Sequence, residues 1–159
     1  MSKIFRGRYT ARIDEPFILF VIGMRVNSFW KIWEWAPVFA AMPKMLNELY
    51  SNPSSGFLGA QMFLTLRQPV LMQYWRDFDA LLAYAHDQSG AHFPAWAEFN
   101  RKAGRSGSVG VWHESYRIEK GAAESIYSNM PLWGMAKALN AEHVLAEGRL
   151  AAAKDRMNS

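Results

Sequence analysis

Runs of hydrophobic residues in this chain switch between a period of two and a period near 3.6, and each switch marks an element. From Phe17 to Asn27 nearly every residue is apolar, with branched and aromatic types prevailing, which predicts a buried strand. Its odd positions end in Gly23, Arg25 and Asn27, so one face turns polar towards its end. Ser28 can cap the next stretch, Phe29 to Tyr50, where Trp30, Trp33, Pro37, Ala40, Ala41, Met45 and Leu49 recur on one side of a helix. Pro37 and Pro43 each remove an amide donor and crowd the preceding turn, so two helical pieces are expected there. After the loop from Ser51 to Gly56, residues Phe57 to Leu66 read as a second strand. The connection Arg67-Gln68-Pro69 then turns it into a third, Val70 to Trp75, as an antiparallel hairpin.

That third strand is apolar on both faces, as suits a strand covered on two sides. Asp77 follows as an N-cap, and Phe78, Leu81, Leu82 and Ala85 fall at helical spacing. Ser89-Gly90 interrupts the pattern before a second helical piece with His92, Phe93, Trp96 and Phe99 along one side. A turn from Gly104 to Gly110 leads into a strand from Val109 to Ile118. Its alternation sets Val109, Val111, His113 and Ser115 against Trp112, Glu114, Tyr116 and Ile118. Gly121 to Met130 reads as irregular or as a short edge strand, and Pro131 can open a last, Ala-rich helix reaching about Arg156.

The order strand, helix, strand, strand, helix, strand is the split βαβ pattern of a ferredoxin-like α+β domain. The chain accordingly divides into an extended arm at 1–16, a ferredoxin-like domain at 17–130 and a helical extension at 131–159. Helices cover one face of such a sheet. The other face is apolar as well, and a second copy packed sheet to sheet would cover it, so a homodimer is expected.

Composition narrows the function. With 159 residues, half of them apolar, one core of ordinary size is expected. Seven Trp and nine Met suit a core, an interface or a cavity for a small hydrophobic molecule, and the triple Trp30, Trp33, Trp35 fits any of these. The chain has no cysteine, which excludes disulfides and thiolate chemistry and suits the cytoplasm. No spaced His and carboxylate set is present, so no metal site is expected, and there is no phosphate loop or nucleophile elbow. The formal charge of +4 is spread over scattered residues, so no nucleic-acid partner is expected. The most apolar run, Phe17 to Val26, is about half the length of a membrane span, the start lacks a signal-peptide pattern, and no membrane partner is expected.

Polar residues inside apolar elements are the candidates for chemistry. His113 can accept a proton or orient a carbonyl, with Glu114 beside it in sequence; alternatively it is a core histidine bonded to a backbone carbonyl. Arg25 and Asn27 can hold an acidic or carbonyl group, or Arg25 can pair with a carboxylate at the rim. Gln61 and Gln73 each need hydrogen bonds or face a pocket, Tyr74 can donate through its hydroxyl, and Trp112 is taken as a substrate contact. Gly23 marks either a close approach to the backbone or a bulge. His92 sits among aromatic rings, whereas His86 and His143 fall at more solvated positions.

Several segments together, GRYTARIDEPF, FLGAQMFL, QYWRDFDALLAYA, HFPAWAEFN, VGVWHESY and IYSNMP, resemble the antibiotic-biosynthesis-type monooxygenases, in particular the branch that includes the fumagillin-pathway enzyme. The resemblance implies a dimeric α+β barrel and oxygenation of a small hydrophobic metabolite in a pocket between sheet and helices. It also implies chemistry without a resident cofactor, with polar groups such as His113 and Glu114 moving protons. The haem-degrading relatives carry an iron-binding histidine at a comparable place. A haem-degrading oxygenase or an aldoxime dehydratase-like protein, with His92 or His113 on the iron, is therefore the alternative. A non-catalytic ligand-binding module is the third reading, since a fold does not fix an activity.

Overall fold

A computed structural model describes residues 2–90, 92–102 and 105–157; the side chains of His92, Pro94 and Lys102 lie outside that description, as does Gly104 at the head of the expected turn. The chain opens with β1 (Phe5–Arg12), then β2 (Phe17–Val26), α1 (Ile32–Ser51), β3 (Phe57–Phe63) and β4 (Val70–Trp75). Next come α2 (Phe78–His86), α3 (His92–Lys102), β5 (Val109–Ile118) and β6 (Tyr127–Met130), and the end carries α4 (Gly134–Ala138), β7 (Glu142–Leu145) and α5 (Ala153–Met157).

The four central strands form an antiparallel sheet in the order β3-β4-β2-β5, the ferredoxin-like arrangement that the split βαβ pattern predicts. Register assigns the faces: Ile18 lies opposite Trp75 and Arg117, Phe20 opposite Gln73 and Ser115, and Ile22 opposite Leu71 and His113. Those residues share the helix side of the sheet. Two packed clusters stand on it. At one end Trp75, with no exposed surface, is enclosed by Ile18, Leu49, Phe57, Ala80 and Leu81. Asp77 starts α2 beside it, its carboxylate accepting the Ala80 amide at 2.7 Å, as the capping pattern predicts. At the other end Met24, Val26 and Val109 pack with Phe29, Trp35, Val38 and Phe99.

Helix α1 rests on both clusters and is one continuous element of 20 residues, which corrects the expectation of two pieces. Pro37 and Pro43 lie inside it. Each proline removes a single amide from the ladder, and packing of both ends of α1 against the same sheet holds the two halves in line. Ser28 does not cap it; Lys31 occupies that position without a side-chain cap.

The terminal segments differ most from expectation. The arm contains β1, the central strand of a second antiparallel sheet ordered β6-β1-β7. The helical extension is instead two short helices, a strand and a 3-10 turn at Gly148–Leu150. Alanine favours a helix by only a few tenths of a kcal/mol per residue, whereas the chain turns at Asn140 (φ 47°) and Gly148 (φ 55°), and β7 gains a ladder with β1 from Tyr9 opposite Leu145 to Arg12 opposite Glu142. The buried Arg156 fastens the end, donating to Glu124 at 2.8 Å and to the carbonyls of Leu150 and Ala151.

This terminal unit covers part of the far face of the main sheet. Helix α4 passes close to Gly59, where an added Cβ would lie 3.1 Å from Ala138, and Trp133 meets Phe63 edge-on at 5.9 Å. Gly23 explains itself on the same face: the Trp112 indole lies across it, and a Cβ there would fall 2.6 Å from the indole nitrogen. The close approach expected at Gly23 is thus made by a side chain of the neighbouring strand.

His143, expected in solvent, stands on β7 inside a ring cluster, stacked on Tyr9 at 4.7 Å and edge-on to Phe5 and Tyr127. Both its ring nitrogens are buried and without a hydrogen-bond partner among the described residues, and burial holds its pKa below 6.5.

Two outcomes are expected. Gly23→Ala should destabilise the fold by about 1–3 kcal/mol in urea denaturation, because the displaced indole has to move over a packed face. Stability should be full above pH 6.5 and fall as the pH drops towards the lowered folded-state value of His143, since the unfolded chain then takes up a proton that the folded imidazole refuses. In His143→Phe that acid slope should flatten; an unchanged slope by pH-dependent thermal melts would assign it to other groups.

Candidate functional site

Between its two anchoring clusters α1 passes over the sheet with little to fill the space beneath. Its middle carries Pro37, Ala40, Ala41 and Pro43, short or ring-closed side chains that reach the sheet poorly. The result is a cavity of about 460 Å³. Ile22, Met24 and Leu71 of the sheet form its floor, residues from Pro37 to Met45 its roof, and Ala95, Trp96 and Phe99 of α3 its side wall. A smaller space of about 50 Å³ adjoins it past Met42 and Met45 and reaches Gln73 and Tyr84. The walls are apolar and rich in methionine thioethers, which adapt to a ligand's outline.

Few polar groups reach the larger cavity. Glu34 lies at one end, its side chain 14% exposed, with Lys31 Nζ 3.4 Å from Oε1. The hydroxyls of Ser106 and Ser108, on the turn before β5, both donate to Oε2. Those hydrogen bonds, Ser106 first and then Ser108, hold the Glu34 carboxyl below the ordinary value of 4.5, so it is ionised near neutrality. Lys44 and Glu98 complete the polar lining. Chemically this is a largely apolar cleft, open to solvent on one side, in which the Glu34 carboxylate is held in place as a hydrogen-bond acceptor.

The residues singled out from the sequence lie around this chamber rather than in it. His113 is on the helix side of β5 but exposed, its ring 5.5 Å from that of Phe20, which corrects the expectation of a buried imidazole: β5 is an edge strand. Glu114, on the far face and exposed, accepts a hydrogen bond from Tyr116. Arg25 donates to Asn27 at 3.2 Å and to Gln68 at 3.3 Å, and Asn27 donates to the Gly107 carbonyl, so the pair ties loops together at the sheet end. Gln73 is buried and accepts from the Trp75 indole at 2.8 Å, facing only the smaller space. Gln61, Tyr74 and Trp112 belong to the far face, where Gln61 sits opposite Met72 and Tyr74 is buried. Burial pushes the Tyr74 phenol up to about 12. His92 is the first residue of α3, the helix that supplies the side wall, and its side chain lies outside the described residues.

Glu34 was not singled out from the sequence. Its partners Ser106 and Ser108 are more than seventy positions away, and only folding brings them together.

Residues 17–135 match the family model described as Monooxygenase af470-like. No curated protein matches the sequence. Among solved structures, the aldoxime dehydratase OxdRE in complex with butyraldoxime is similar with a TM-score of 0.68 and 14% identity, over 88% of this chain and 43% of that enzyme. The present chain therefore spans less than half of that protein, and the likeness is one of fold. SnoaB, a cofactor-independent oxygenase from Streptomyces nogalater, gives a TM-score of 0.43 and 16% identity over 63% of this chain and 90% of its own.

Replacing Ser108 by Ala, or Ser106 by Ala, should raise the Glu34 pKa back towards 4.5, read by carboxyl carbon NMR. The wild-type contribution of this group to stability is present above pH 4.5 and is lost as the pH falls through the lowered value; both variants should shrink it.

Proposed function

The chain belongs to the Monooxygenase af470-like family, and on that footing we propose that it oxygenates a small apolar metabolite held in the cavity beneath α1. One observation carries the reading: within such a family, a cavity of about 460 Å³ lies between the helices and the sheet, walled by methionine, aliphatic and aromatic side chains, with the hydroxyl-bound Glu34 carboxylate at one end. That size falls in the range of about 300–1,000 Å³ usual for small-molecule sites. An electron-rich substrate with an activated methylene could supply the electrons itself: two C–H bonds break, one oxygen atom of O2 becomes a carbonyl, and the other leaves as water. Glu34 would orient a donor group of the ligand, Trp96 and Phe99 would stack on its rings, and the apolar walls would limit water around the intermediate.

Haem is the second reading: the described lining of the cavity contains no histidine, tyrosine or cysteine, the residues that usually hold haem iron in oxygen-handling proteins, while His92 heads the helix that forms its side wall and its side chain lies outside the described residues. His113 is exposed and outside it. A homodimer remains part of the proposal, because Leu19, Val21 and Met72 on the far face are only half-buried beside α4.

Oxygen uptake with a panel of quinols, anthrone-like polycycles and terpenoids tests the reading. Ala41→Trp, which fills the roof, should lower uptake and ligand binding by at least about tenfold while circular dichroism stays unchanged. Uptake that survives this substitution, or that His113→Ala alone abolishes, would place the chemistry elsewhere. Binding without uptake across the panel would favour a ligand-binding module, and a Soret band on adding haem would revive the iron reading.

A further inference from the structure

One end of the molecule exposes far more apolar surface than a water-facing tip requires. Trp30 is 91% exposed, Leu66 90%, Trp33 69%, Leu64 66% and Ile32 57%. Trp30 lies in the connection from β2 into α1, Ile32 and Trp33 in the first turn of α1, and Leu64 and Leu66 in the connection from β3 into β4, and the fold fastens these segments side by side. The Val26 amide donates to the Arg67 carbonyl at 2.9 Å, Arg25 donates to Gln68 at 3.3 Å, and the Arg67 guanidinium lies 5.0 Å from the Phe29 ring centre. We propose that this tip is a docking surface for an anionic lipid bilayer, which the protein meets from one side without spanning it.

Charge decides between a lipid and a protein occupant. Arg25, Lys31 and Arg67 stand on or beside the same segments. Among residues 24–36 and 62–69 the only acid is Glu34, whose carboxylate is bound by Ser106 and Ser108 and lies 3.4 Å from Lys31, so three cations against one acid leave these segments a net charge of +2. Tryptophan and leucine projecting from short connections, with cations beside them, match the chemistry of a membrane interface: rings at headgroup depth and positive charge against acidic lipid. The expectation of no membrane partner rested on the lack of a spanning segment, and no described helix is long and apolar enough to cross a bilayer; a peripheral contact needs none. The tip also borders the cavity, whose lining includes Glu34, next after Trp33, and Met62 and Pro69, which flank the loop carrying Leu64 and Leu66. Docking would set that chamber beside a phase into which an apolar substrate partitions. That last step rests on the proposed function; the docking itself does not.

Co-sedimentation of the full chain with vesicles tests it, using phosphatidylcholine alone and phosphatidylcholine mixed with phosphatidylserine. Wild type should pellet with the mixed vesicles, with a blue-shifted tryptophan emission. The double variant Trp30→Ser, Leu66→Ser should lose at least about tenfold in vesicle affinity. Lys31→Gln with Arg67→Gln should lose about fivefold per cation and abolish the preference for phosphatidylserine. Wild type that stays in the supernatant with both vesicle types would overturn the proposal. So would an oligomer that the Trp30, Leu66 variant disperses while vesicle binding is unaffected, because the tip would then belong to a second copy. Neither result bears on oxygen uptake in detergent-free solution, so this surface can fail while the cavity reading stands.

Discussion

The helix side of this protein is governed by the way α1 is held at both ends and unsupported between them. Leu49 and Leu46 seat its last turns on the Trp75 cluster, and Trp35 and Val38 seat its first turns beside Met24, Val26 and Val109. Burying a side chain such as Leu49 contributes about 1.5–3 kcal/mol, and a proline inside a helix costs about 3 kcal/mol or more, so it takes the side chains of both anchors together to offset Pro37 and Pro43. Between the anchors the roof offers alanine and proline above Ile22 and Leu71, and the space stays open. Interiors normally close such gaps because unfilled walls lose dispersion contacts. Here the span is braced on both sides and cannot sink.

The far face of the sheet obeys a different constraint. The first and last segments of the chain pair into a sheet of their own, and α4 lies over Tyr74, Gly59 and Phe63. Gly23 lets Trp112 flatten against the strand there, and the His143 ring cluster ties β1 to β6 and β7. The expected covering role of a second copy is thus partly taken by the molecule's own termini.

Local pattern was enough for the central domain. The strands β2, β4 and β5, the Asp77 cap and the interruption at Ser89-Gly90 are all written in neighbouring residues, and so is the alternation that sorts Trp112 and His113 to opposite faces. What covers each face is not written there. His113 has the right period for the helix side but lies on an edge strand, and nothing in the sequence around it reveals that. The Ala-rich end was misread for a related reason: its strand depends on β1, about 135 residues earlier by register. The carboxylate of Glu34 and its two serine donors are likewise joined only across the folded chain. The expectation of a pocket between sheet and helices survived because it follows from topology, whereas its polar residues depend on distant partners.

Methionine-methyl NMR tests the account most directly, because the nine methionines report on both faces at once. Met24, Met42, Met45 and Met62 line the cavity, whereas Met72, Met130 and Met135 do not. On titration with a bound quinol or polycycle, the four cavity methyl signals should move and saturate together while those of Met72, Met130 and Met135 stay fixed. Shifts confined to the second group would contradict the account and put the ligand on the far face of the sheet.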